Sequence, residues 1–130
     1  MSAPSGQTLS YLGDAVYELE LRHQCIKAGF YRPEALHQMV SELTSGKAQA
    51  WAFSILEPLF TDQELSWFKQ GRNAPLSKKS RKVSLQEAHA SSGLEAVFGG
   101  LYQTNNHPRI ASFCALILST KYPSFFSKSD

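Results

Sequence analysis

Apolar residues recur along this chain every three to four positions rather than every second one, a spacing that predicts helices from end to end. Between about 7 and 28, Leu9, Leu12, Val16, Leu19 and Ile26 keep helical spacing, and Gly29 supplies a stop. Pro33 suits the first turn of a second helix carrying Leu36, Val40 and Leu43. A third follows "TSG" at 44–46, through Ala48, Trp51, Ala52, Ile55 and Leu56, and breaks near Pro58. "TDQE" at 61–64 is a capping box opening a fourth, which bears Leu65 and Phe68 and ends at Gly71. A second box, "SLQE" at 84–87, starts a helix with Leu94, Val97, Phe98 and Leu101 on its buried stripe. "NNHP" breaks the chain, and Pro108 leads a last helix with Ile110, Phe113, Ile117 and Leu118. Nothing alternates as a strand would, so the fold class is all-α, with helices too unequal in length for a simple up-down bundle.

The first helix carries a fault at its middle, where Gly13 is followed at once by Asp14. Glycine inside a helix costs roughly 1 kcal/mol relative to alanine, and aspartate there competes for backbone hydrogen bonds. On a helical wheel Leu9, Leu12, Val16 and Leu19 share one face, and Asp14 falls nearly opposite with Tyr11 and Glu18. Leu21 lies close to that acidic line, which predicts packing on both sides of the helix. Gly13 would then admit a neighbouring backbone. A matching stretch stands eighty residues on. In "SSGLEAVFGGLY", 91–102, Glu95 sits among serines, glycines and alanine that let another helix come close. If the two helices pack together, Asp14 and Glu95 converge. Paired carboxylates suit a hard divalent cation such as Mg²⁺; the plainer reading of each is a solvated helix acid.

Composition narrows the picture modestly. With 130 residues, 42% hydrophobic and 18% charged, the chain can bury a real core as one domain. The net charge of +2 says little, but its placement says more: between 70 and 86 stand Arg72, Lys78, Lys79, Arg81 and Lys82 with no acid among them. Such a run is often a solvated face, yet it also suits phosphate neutralisation. Cys25 and Cys114 lie in apolar surroundings and read as buried thiols of a reducing compartment. His23, His37, His89 and His107 show no zinc-ligand spacing. The first basic residue is Arg22, so no targeting segment is visible and no apolar run spans a bilayer. A cytoplasmic protein is expected, or one of an organelle stroma if a presequence was removed, with no membrane partner.

"YLGDAVYE" resembles the signature helix of the ribonuclease III family, and "GLEAVFGGLY" resembles that family's second acidic motif. "GRNA" at 71–74, with a basic loop between the two, is similar to its short branch, Mini-ribonuclease III, which consists of the catalytic domain alone. The likeness covers about residues 7–118. It implies a ribonuclease III-type endonuclease domain over 7–122, between tails at 1–6 and 123–130. It implies a homodimeric, Mg²⁺-dependent endoribonuclease that cuts double-stranded RNA to 5′-phosphate and 3′-hydroxyl ends. Asp14 and Glu95 take the places of the family's catalytic, metal-binding acids. Two further acids of the larger enzymes fall on Ser10 and Ser92 here, which bears on how many metals bind.

On the same likeness, the expected substrate is precursor ribosomal RNA, cut at the ends of the large-subunit (23S) RNA, with a ribosomal protein on the substrate as an expected further partner. Arg72, Asn73, Lys78, Lys79, Arg81 and Lys82, with Lys47 a weaker candidate, are the expected RNA contacts. A two-fold partner is expected to cover Tyr11, Tyr17 and Leu21. The alternative is a non-catalytic double-stranded-RNA-binding or ribosome-assembly module on the same fold, against which the presence of both acids weighs.

Overall fold

The computed structural model describes residues 3–76 and 83–126. Six α-helices follow one another: α1 (Gly6–Lys27), α2 (Pro33–Thr44), α3 (Gly46–Leu56), α4 (Asp62–Arg72), α5 (Leu85–Gln103) and α6 (His107–Lys121), with a 3₁₀ turn at Glu57–Leu59 after α3. No described residue lies in a strand, and no described helix is long and apolar enough to cross a membrane.

Local signals set the helix ends. Both capping boxes form: the Thr61 and Ser84 hydroxyls accept from the amides of Glu64 and Glu87, whose carboxylates return to the cap amides. Gly29 closes α1 with φ 103°, a conformation that favours glycine. Asn106 caps α6 by accepting from the Arg109 amide.

Helix α5 is the axle of the molecule and packs on α1, α3, α4 and α6. Its Leu94, Ala96, Val97, Phe98 and Leu101 are buried, and the core around them draws on every other helix. The small residues of α5 do the work expected of them. An added Cβ at Gly13 of α1 would stand 1.6 Å from the Glu95 carbonyl oxygen and 2.7 Å from the Gly99 nitrogen. One at Gly99 would stand 2.1 Å from the Leu9 carbonyl oxygen. The two backbones touch, so Gly13 is the residue that the contact requires.

Two expectations need correcting. The buried stripe of α1 runs through Leu9, Gly13, Tyr17, Leu21 and Cys25, one i+4 ridge, with Ser10 and Val16 beside it. Tyr17 and Leu21 therefore belong to the chain's own core, at 1% and 0% exposure, and no partner is needed to cover them. Tyr17 is admitted because its hydroxyl donates to the Leu43 carbonyl at 2.8 Å. Leu19 and Ile26, expected inside, are 67% and 45% exposed. The second correction concerns Gly71. It lies within α4 rather than after it, buried where a Cβ would stand 2.5 Å from both the Ser92 oxygen and the Ala96 Cβ.

One buried charge is tied down across the fold. Arg109 of α6 donates from Nε and Nη2 to the two oxygens of Glu64, at 2.8 Å each, and from Nη2 to the Leu59 carbonyl. Its guanidinium lies 4.4 Å from the Phe113 ring centre. Burial alone would push the Glu64 carboxyl up, but the bonds from Arg109 and the Thr61 amide hold it below the usual carboxylate range. That stabilisation is present above the unfolded carboxylate value and is lost as pH falls through the lowered folded one. Cys25 and Cys114 are free, buried thiols.

The close approach at Gly13 sets a test. Gly13→Ala should destabilise the fold by roughly 2–4 kcal/mol, because an added methyl meets backbone rather than a movable side chain. Thermal denaturation followed by circular dichroism should show a melting temperature lower by about 10 °C. Wild-type melting would mean that α1 and α5 do not meet as described.

Candidate active site

Asp14 leaves α1 one residue after the Gly13 contact, and Glu95 is the α5 residue whose carbonyl makes that contact. Both side chains line one cavity of about 820 Å³, with Gln7, Ser10, Tyr11 and Glu18 on α1 and Ala88, Ser91 and Ser92 on α5. The junction of α2 and α3 at residues 44–46, Ala74, Pro75 and Val83 complete the wall. Close helix packing thus brings together two acids eighty-one positions apart in sequence.

The donors facing this cavity are oxygens. Asp14 is exposed, and its side chain makes no hydrogen bond or ion pair with any described residue. Glu95 is half-buried. Glu18 pairs with Arg22 one turn on, an exposed i,i+4 pair of small energetic weight. No histidine, cysteine or lysine is among the described lining residues. Carboxylate, hydroxyl and amide oxygens suit a hard divalent cation better than zinc or copper. Among the described residues no group of three or more histidine, cysteine, aspartate or glutamate side chains forms a metal cluster; of the three acids lining the cavity, Asp14 and Glu95 are the two that the sequence motifs single out.

Two of the cavity's serines are already engaged. Ser10 Oγ donates to the Ser92 carbonyl at 2.6 Å, and Ser91 donates to the Oε1 of Gln49, a side chain only 1% exposed. Gln49 in turn donates to the Thr44 carbonyl at 3.3 Å, which ties the α2–α3 junction to α5. Beneath the cavity, burial first, then the neighbouring Cys114 and Glu95 groups, push the Tyr17 hydroxyl well above the ordinary phenol range. It remains a neutral donor.

The expected RNA contacts divide. Arg72 and Asn73, at the end of α4, do not line the carboxylate cavity; they border a separate depression with Phe53, Phe68, Lys69 and His89. Arg72 lies 5.8 Å over the Phe68 ring and its Nε donates to Asn73 Oδ1 at 3.3 Å, while His89 Nδ1 meets the Arg72 carbonyl at 2.7 Å. Lys47 is exposed in the first turn of α3, next to the cavity-lining Gly46. Lys78, Lys79, Arg81 and Lys82 lie outside the described residues. Sequence reasoning missed Gln49, Ser91 and the rim at 44–46. Only the apolar-face position of the polar Gln49, between Ala48 and Trp51, hinted at a buried role.

Known proteins agree with this architecture. The ribonuclease III domain family matches residues 7–106. The chain is 34% identical over 110 residues to the Mini-ribonuclease 3 of Streptococcus pneumoniae, covering 83% of this chain and 86% of that one. It is 39% identical over 105 residues to the Mini-ribonuclease 3 of Synechocystis, covering 77% and 72% respectively. A crystal structure of a Fusobacterium nucleatum protein superposes with a TM-score of 0.79 at 22% identity, over 90% of this chain and 93% of that one, which shows the shared fold. The chain belongs to the ribonuclease III family and is an endoribonuclease.

Proposed function

We propose that this endoribonuclease hydrolyses double-stranded RNA at the cavity between α1 and α5, with Asp14 and Glu95 holding Mg²⁺ there. The observation that carries the reading is the convergence of two carboxylates from separate helices on one open, oxygen-lined cavity. A divalent cation held there by Asp14 and Glu95 would lower the pKa of water and stabilise charge on the scissile phosphate. The chain's own part is to supply negative charge at fixed positions and to orient the duplex. Ser10 and Ser91 are committed to protein acceptors, and among the described lining residues there is no histidine or cysteine to serve as, or activate, a side-chain nucleophile. Water is then the nucleophile, and the products carry 5′-phosphate and 3′-hydroxyl ends.

The reading extends to substrate and assembly. Residues 7–122 form the catalytic unit, and the natural substrate is precursor ribosomal RNA, matured at the ends of its 23S segment. Lys47, Arg72, Lys78, Lys79, Arg81 and Lys82 neutralise phosphates along the duplex, and Asn73 hydrogen-bonds to its backbone. Two copies pair through the outer side of α1. Leu12, Ala15, Leu19 and Ile26 share one helical face, and on it Leu19 and Ile26 stand open to solvent. A two-fold axis there would give one site to each RNA strand.

Three outcomes are expected. Asp14→Asn or Glu95→Gln should lower cleavage of long duplex RNA by at least about 10³-fold while leaving thermal stability and RNA retention in gel-shift assays nearly unchanged. Turnover near wild type in either variant would refute the site.

Neutralising Lys78, Lys79, Arg81 and Lys82 together should weaken RNA binding and flatten the plot of log affinity against log salt, by about one unit of slope or less for each lost phosphate contact. An unchanged slope would remove the segment from the RNA interface.

Sedimentation at micromolar concentration should show a species near twice 14.4 kDa, and Leu19→Glu should shift it to the monomer. A wild-type monomer with full activity would contradict the paired arrangement.

A further inference from the structure

Ser10 stands where larger relatives are expected to carry an acid, yet it is built into the protein rather than offered to a ligand. It is only 9% exposed, and its hydroxyl reaches out of α1 to the Ser92 carbonyl of α5. A helical serine ordinarily returns its proton to a carbonyl of its own preceding turn. Here that local option is forgone for a bond between helices, at the short end of hydroxyl–carbonyl distances. The acceptor can take it, because a helix carbonyl has a second lone pair beside the one used in its own helix. Gly71 of α4 seals the spot, since a Cβ there would stand 3.0 Å from Ser10 Oγ and 2.5 Å from the Ser92 oxygen. Three helices therefore meet on one hydrogen bond.

The location of that bond gives it meaning. Ser10 precedes Asp14 by four residues and Ser92 precedes Glu95 by three, so the bond joins the turns directly before both carboxylates. The Gly13 contact fixes how closely α1 and α5 approach; a second, directional point fixes their relative rotation. We infer that Ser10 is a positioning residue, whose hydroxyl sets Asp14 and Glu95 at the separation and orientation from which both reach one divalent cation. The inference rests on the reading of Asp14 and Glu95 as the metal-holding pair. Ser92 acts through its backbone, so its side chain is dispensable.

The test is Mn²⁺ uptake by the full chain without RNA, followed by the paramagnetic resonance of free Mn²⁺, together with melting curves. Ser10→Ala should weaken Mn²⁺ binding about 5- to 10-fold, and Ser10→Thr, which keeps the hydroxyl, should recover most of it. Ser92→Ala keeps the carbonyl and should bind like the wild type. Tyr122→Phe removes hydrogen bonds to Met39 and Glu42 away from the cavity and controls for stability alone; it should melt earlier yet bind Mn²⁺ normally. If Ser10→Ala does not fold, Ser10→Cys, close in size but a weak donor, gives the same reading. Wild-type affinity in folded Ser10→Ala, or in Ser10→Cys where that variant stands in, would overturn the positioning role, as would an equal loss in Ser92→Ala or Tyr122→Phe. Undiminished binding by Asp14→Asn, or none by the wild type, would instead overturn the carboxylate reading and the inference with it.

Discussion

Everything about this molecule depends on how closely two helices are allowed to lie. At the crossing of α1 and α5 no side chain separates the backbones, because Gly13 faces the Glu95 carbonyl and Gly99 faces that of Leu9. The helix-propensity cost of glycine at position 13, about 1 kcal/mol, is small beside what backbone contact makes possible. Side chains leaving at the margin of such a crossing are forced into the same space. Asp14 and Glu95 leave at that margin. The unusual pairing of a mid-helix glycine with an aspartate is thus one device, the first residue making the contact and the second using it.

Two consequences follow for the chemistry. A carboxylate pair brought together by rigid helices needs little reorganisation to meet a cation, which is how preorganised sites gain over flexible ones. The site also keeps its polar neighbours occupied: Ser10, Ser91 and Gln49 are spent on holding walls together. Elsewhere the same economy recurs at Glu64, which caps α4 and also anchors Arg109 of α6.

Much of the fold was legible because its signals are local. Capping boxes at 61–64 and 84–87, Pro33 at a helix start and Gly29 at a stop each act within a turn or two, and each element they announced is present. The facing of α1 was less legible. Apolar residues lie all around it, and the wheel gave the buried face to Leu9, Leu12, Val16 and Leu19, with Leu21 on the opposite side. The choice turned on Tyr17, whose burial depends on a carbonyl twenty-six residues away. Gly71 misled for a related reason, since glycine signals both a helix end and a tight crossing. Arg109 with Glu64, and Ser10 with Ser92, join positions 45 and 82 apart and leave no periodic trace. The candidate site was readable in its two acids through motif likeness, whereas its walls at 44–46 and Gln49 were fixed by tertiary contact.

The most direct test of the account is anomalous diffraction from crystals grown with Mn²⁺ and a duplex RNA made uncleavable at the scissile phosphate. The account predicts a manganese peak in the cavity between α1 and α5, within coordination distance of carboxylate oxygens from both Asp14 and Glu95. A peak held by other residues, or one touching only one of the two acids, would contradict the claim that the Gly13 crossing exists to bring this pair to a common cation.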